Sequence, residues 1–141
     1  MIKIRYITFL SLLILCSCSP RISLYDQYAY TQVTSIKIDA LMVMQEASES
    51  YTSHISDIKK VDISIRKIIE YEKHRPTNSI STQMWEKLND PGVPLYAGFI
   101  TRWKQKGKLD TAFVSSQQRI IGLAFDQIAE LESGKINPSK R

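Results

Sequence analysis

The residues able to carry chemistry are few, and they stand in pairs or short runs. Glu70 and His74 are one helical turn apart, and His54 and Asp57 are three apart. An imidazole and a carboxylate one turn apart converge, and such pairs hold metal ions. A metal site usually takes three or four ligands, and neither pair has an evident third. His54 also falls on an apolar stripe, where a hydrogen-bonded core or interface histidine is the simpler reading. No metal and no cofactor are therefore expected. His-Glu-x-x-His, Gly-x-Ser-x-Gly and a glycine-rich phosphate loop are all missing from the sequence. Ser115, Ser116 and the hydroxyl residues between 48 and 56 are not read as nucleophiles. Glu46 with Glu49, and Glu130 with Glu132, read as solvated helix faces. The chain is read as non-catalytic.

The densest basic run is Arg102-Trp103-Lys104-Gln105-Lys106-Gly107-Lys108. Arg102, Trp103, Lys104, Lys106 and Lys108 are a candidate contact with an anionic surface, a lipid headgroup layer or a phosphorylated glycan. There charge attracts and an indole settles at the interface. The plainer reading is of cations at a helix C-terminus, where the macrodipole favours them, with Trp103 in the core. Met84, Trp85 and Leu88 beside Pro91-Gly92-Val93-Pro94 resemble hot-spot material for a partner. Core packing against the long helix is the simpler reading.

The elements that must position these residues read as helices. From Leu24 to Arg75 there is neither Gly nor Pro. Ala40, Met44, Ala47, Tyr51, His54, Ile58, Val61, Ile65 and Ile68 recur at steps of four and three, a heptad-like stripe. Leu41, Ile55 and Ile69 widen it, and Tyr30 and Val33 extend it backwards, with Lys37 as a polar interruption. One helix of about 50 residues would be about 75 Å long. The Ser- and Thr-rich segment 48–56 argues for a break. The stripe keeps its phase across that segment, so a continuous or slightly bent helix is the favoured expectation. Its early part would then overhang the rest of the fold and call for self-association.

Arg75-Pro76 stops this helix. Residues 81–88 read as a short helix capped by Ser81 or Thr82, and Asp90 to Pro94 as a turn. Leu95 to Lys106 is a second short helix, with Leu95, Phe99 and Trp103 on one face, ended by Gly107. A final helix, capped by Asp110 or Thr111, runs to about Ser133. Val114, Gln117, Ile121, Ala124, Ile128 and Leu131 form its stripe, with Phe113, Ile120 and Phe125 beside it. Gly134 is placed for a left-handed cap. The predicted fold is all-α: an antiparallel helical bundle with one long N-terminal helix, two short helices and a C-terminal helix.

Composition narrows the setting. The chain has 141 residues, two cysteines and a net charge of +5. Without Lys3 and Arg5 the balance is 17 basic against 14 acidic residues, a mild +3 that does not demand a nucleic-acid partner. Both cysteines lie in the first 18 residues, so no internal disulfide staples the rest. At the N-terminus, Lys3 and Arg5 precede an almost unbroken apolar run, Ile7 to Leu15, closed by Leu15-Cys16-Ser17-Cys18. That run is about half the roughly 20 apolar residues a membrane-spanning helix needs. It suits the core of a secretory signal.

This ending resembles the lipobox of bacterial lipoprotein signal peptides. In that family a Leu stands three residues before a lipidated Cys, and a small residue precedes the Cys. Leu15, Ser17 and Cys18 fill those places, while Cys16 stands where Ala, Ser, Thr or a branched aliphatic is usual. The resemblance implies cleavage before Cys18 and acyl chains on Cys18. Ser19, rather than Asp, stands at the next position; in enteric bacteria the resemblance then implies the outer membrane, facing the periplasm, while other phyla sort differently. The expected organisation is a signal peptide over 1–17, a lipidated Cys and tether over 18–23, a helical domain over 24–134 and a flexible basic tail over 135–141. The expected function is a non-catalytic interaction or scaffold module in the bacterial envelope, anchored to its membrane and binding an envelope protein or a second copy of itself. An inhibitor or immunity-type lipoprotein binding a toxin or enzyme is the alternative, and an enzyme acting on cell wall a third reading.

Overall fold

The chain enters its first helix through Asp26, whose side chain accepts a hydrogen bond from the Ala29 N–H at 2.9 Å. A carboxylate there satisfies one of the orphan donors of the first turn. The structure, a computed structural model, describes Ser23 and residues 25–134. The lipobox, Cys18, most of the tether and the tail 135–141 lie outside the described residues.

Five α-helices follow in order: α1 (Gln27–Gln45), α2 (Ile55–Lys73), α3 (Ser79–Leu88), α4 (Tyr96–Lys106) and α5 (Thr111–Glu132). No strand occurs among the described residues. The all-α bundle expected from the apolar spacing is the fold observed.

The segment favoured as one rod is two helices. Between α1 and α2 lie two short 3-10 turns, Glu46–Ser48 and Tyr51–Ser53. The cause is tertiary. The Ala47 carbonyl accepts from the Leu109 N–H at 2.8 Å, and the Tyr51 N–H donates to the Gly107 carbonyl at 2.8 Å. Trp103 Nε1 donates to the Glu49 carbonyl at 3.1 Å. The loop between α4 and α5 thus takes up backbone groups that a continuous helix would pair internally. Weak helix formers in this segment make the exchange cheap. The chain folds back here, and α1 is covered by α5 and α2. The overhang expected of a straight rod is not formed.

The stripe itself forms the core. Val33, Ala40, Met44, Ala47, Ile58, Val61, Ile65 and Ile68 are buried, and Tyr51 and His54 are half-buried. Ile55, Tyr30 and Ile120 were expected at its margins and are exposed. α5 runs antiparallel to α1: Gln118 Nε2 donates to the Leu41 carbonyl at 2.9 Å, and Lys37 pairs with Asp126. α3 packs on α2 and α5. α4 sets Tyr96, Phe99 and Trp103 into the core. Gly107 and Gly134 end α4 and α5 at φ +75° and +73°, where a side chain would strain the backbone.

Candidate functional site: two poles of the bundle

This topology gives the molecule two ends. The chain enters α1, leaves α2, enters α3 and leaves α5 at one end, named the tether pole for the expected tether that precedes α1 in sequence. At the other, the far pole, lie the 46–54 break, the end of α4 and the start of α5. Nineteen residues of α1 separate them, about 28 Å at 1.5 Å per residue.

The tether pole holds a buried ionic network. Glu72 and Glu132 are only 1% and 4% exposed. Arg75 Nη1 donates to Glu72 Oε2 at 2.9 Å and to Glu132 Oε2 at 2.7 Å. Asn78 Nδ2 donates to the carbonyl and the carboxylate of Glu72, and Ser81 Oγ donates to Glu132 Oε1. Asp26 joins from the start of α1, with Tyr71 OH donating to its Oδ2 at 2.7 Å and Arg75 Nε at 3.7 Å. Ser23 Oγ donates to Asn78 Oδ1 at 3.0 Å, so Ser23 touches the same cluster.

Two buried carboxylates share one guanidinium, and the charges respond to that. Burial, and then the neighbouring Glu132, raise the Glu72 pKa above its ordinary value, against the pull of Arg75 and Asn78. Burial alone would lower the pKa of Arg75, but hydrogen bonds and charge from Glu132 and Glu72 outweigh it and raise it. The Ala29 N–H, with help from Tyr71 and Arg75, holds Asp26 below the usual carboxylate range.

Four tyrosines surround this pole. Tyr28 and Tyr71 lie with ring centroids 4.7 Å apart, and Tyr25 and Tyr30 6.5 Å apart. All four are exposed, Tyr25 at 59% and Tyr28 at 49%.

The far pole carries a different set. Glu46, Glu49 and His54 bring one ligand atom each within 4.8 Å of one another, the only such group among the described residues. His54 Nε2 is 2.9 Å from Glu49 Oε2, and the imidazole lies 5.6 Å from the Trp103 ring. One nitrogen and two carboxylates with open positions suit a divalent ion of the zinc or manganese type. The same contact is complete as a hydrogen bond. His54 thus turns to Glu49 and not to Asp57, which binds Lys60 at 2.7 Å. His74 and Glu70 stand 3.7 Å apart on the surface with no third ligand at hand. Beside the His54 group a groove of about 480 Å³ opens between α1 and α2, lined by Met42, Val43, His54, Asp57, Lys60 and Val61.

The basic run divides. Trp103 is fully buried, edge-on to Tyr51 with centroids 5.7 Å apart. Arg102 lies 4.4 Å over the Phe113 ring. Lys104, Lys106 and Lys108 are exposed, and they sit at the far pole. Trp85 and Leu88 are core, with Trp85 edge-on to Phe125.

Spacing alone missed the buried network. Glu132 was read as part of a solvated face and is buried. Ser81 was read as a cap and lies inside α3, which starts at Ser79. A signal was present: Glu72 continues the stripe one turn beyond Ile68, which places a charged residue at a core position.

Comparison with known proteins gives no match to a family model, to a curated protein or to a solved structure. No helix among the described residues is long and apolar enough to cross a membrane. The functional reading therefore rests on the chain's own residues.

Proposed function

We propose that this chain is a bacterial envelope lipoprotein, held by acyl chains on Cys18, whose helical bundle is a non-catalytic interaction or scaffold module. The observation that carries this reading is the run Leu15-Cys16-Ser17-Cys18 after a basic, apolar start, only a few residues before α1 begins at Gln27. Each buried methylene of an acyl chain contributes about 0.8 kcal/mol, so several chains hold a protein firmly. Ser19 favours the outer membrane, facing the periplasm. An anchor on that side presents the far pole, about 28 Å away along α1, to other envelope components. The α1–α2 groove, with Met42 exposed at its rim, supplies apolar area there, and Asp57 and Lys60 supply charge.

Two measurements test this. The intact mass of the protein from its native membrane is expected to show loss of residues 1–17 and gain of acyl groups. Crosslinked capture of that protein is expected to recover an envelope protein that Met42→Glu loses. An unprocessed, unacylated mass would refute the anchor. Turnover of a wall fragment, with no partner dependent on Met42, would refute the scaffold role.

A further inference from the structure

We infer that the tether pole is a membrane-contact surface: Tyr25, Tyr28, Tyr30 and Tyr71 rest in the headgroup layer of the bilayer that holds Cys18. This rests on the anchored reading above and adds an orientation to it.

The first argument is reach. Tyr25 is seven residue steps along the chain from Cys18, and a fully extended chain spans at most about 3.5 Å per residue. The pole therefore stays within about 25 Å of the anchored Cys. No comparable limit brings the far pole to the same surface.

The second argument is composition. Four of the six tyrosines that follow Cys18 lie at this one pole, and all four are exposed. A tyrosine has an apolar body and a polar tip, the combination enriched where membrane meets water. Tyr25 and Tyr28 leave about half or more of their surface to solvent, although a core lies beside them. Packing within the bundle does not account for that.

The third argument is charge. The carboxylates of Glu72 and Glu132 are buried against Arg75, so they do not face the headgroups. Of the exposed charges, Glu70 sits beside His74 and Lys73 pairs with Glu86, while Glu130 adds one negative charge. In sequence, Arg21 precedes the described fold, and Lys135, Lys140 and Arg141 follow α5. Cations beside an anchor strengthen attachment to anionic lipid. The lysines of the 102–108 run point to the opposite end, away from the anchoring bilayer.

The test places a tryptophan reporter at each pole of the full protein, purified from membranes. Native Trp85 and Trp103 are fully buried and give a constant background. The probe is a vesicle of phosphatidylethanolamine and phosphatidylglycerol with bromine on the upper acyl chains. The Tyr28→Trp reporter is expected to lose roughly half its emission, and a Thr52→Trp reporter at the far pole to lose almost none. Tyr25→Trp, just ahead of α1, repeats the test should position 28 disturb packing. Equal and weak quenching of all three would overturn the inference and leave the tyrosines to a protein partner. The mass of the same sample separates the two readings. An acylated protein without quenching sinks the orientation alone, and an unacylated one that is still quenched sinks the anchor alone.

Discussion

Replacing Arg75 by Met keeps much of the stem and withdraws the guanidinium from Glu72 and Glu132. Both carboxylates then lie in the core without the cation they share. Removing one partner of a buried pair costs about 3–5 kcal/mol. For a domain of this size that is a fall in Tm of roughly 10–20 °C. The penalty has a predictable pH dependence. Burial and Glu132 raise the Glu72 pKa above its ordinary 4.5. A carboxyl with a higher pKa folded than unfolded contributes stability that is full below the unfolded value and is lost as pH rises through the folded one. Above its folded value, ionised Glu72 is therefore a residual cost. Glu72→Gln is expected to leave stability unchanged there or raise it by up to about 1 kcal/mol. The Arg75→Met penalty is expected to shrink as pH falls from neutral toward 4.5, because the orphaned Glu72 carboxyl takes up a proton. Asp26 works in the opposite sense. Its pKa is lowered, so its contribution is present above its ordinary 3.8 and is lost as pH falls through the folded value. The informative window thus lies above that range. Urea denaturation followed by circular dichroism, at neutral pH and at the acid edge of this window, reads all three quantities. An Arg75→Met cost below about 1 kcal/mol at neutral pH, or one that does not move with pH, would refute the account of the network.

Two glycines predict opposite signs. A Cβ at Gly98 would lie 2.1 Å from the Val93 carbonyl oxygen, so Gly98→Ala should cost more than about 3 kcal/mol or abolish cooperative unfolding. At Gly122 the nearest atom outside the helix backbone is Leu41 Cδ1 at 3.8 Å, so Gly122→Ala should raise stability by about 1 kcal/mol in the same melts. The Tyr96 hydroxyl is buried without a hydrogen-bond partner among the described residues, and burial followed by Asp62 raises its pKa. Tyr96→Phe is accordingly expected to be neutral or stabilising by about 1 kcal/mol; a clear loss in urea would reveal a partner for that hydroxyl. Asp110 Oδ1 accepts from the N–H groups of Ala112 and Phe113 at 2.9 and 3.1 Å, so Asp110→Ala should cost about 1 kcal/mol, and Asp110→Asn much less.

Most of the fold was legible because burial follows periodicity. The stripe from Ala40 to Ile68 and that from Val114 to Leu131 are the two sides of the core, and Asp110, Gly107 and Gly134 stop and start helices where their chemistry suggests. The break at 46–54 was not legible from phase. A stripe that keeps its phase shows that the same face stays buried; it does not show that the backbone stays helical. Two 3-10 turns carry Ala47 and Tyr51 inward as an α-helix would. What decides between the two is the loop after α4, nearly 60 residues on, whose Gly107 and Leu109 compete for the backbone at Tyr51 and Ala47. No local pattern records such a contact.

The same limit explains the polar groups. Glu130 and Glu132 look alike in sequence, yet one is exposed and the other buried, because only position 132 faces Arg75 and Ser81 across the bundle. Arg75 was legible only as the residue before Pro76. Its function as the cation for two carboxylates depends on α2, α3 and α5 meeting at one pole. Aromatic residues divide by the same rule. Trp103 sits inside a basic run and still turns inward, since its Nε1 finds the carbonyl that the break at Glu49 leaves open. Tyr25, just ahead of α1, and Tyr28, in its first turn, face outward, while Arg75, Asp26 and Asn78 meet at the interior of that pole. The charged network at this end of the core thus has aromatic rings at its rim. With the anchor proposed on Cys18, those rings would be the first groups of the fold to meet the membrane.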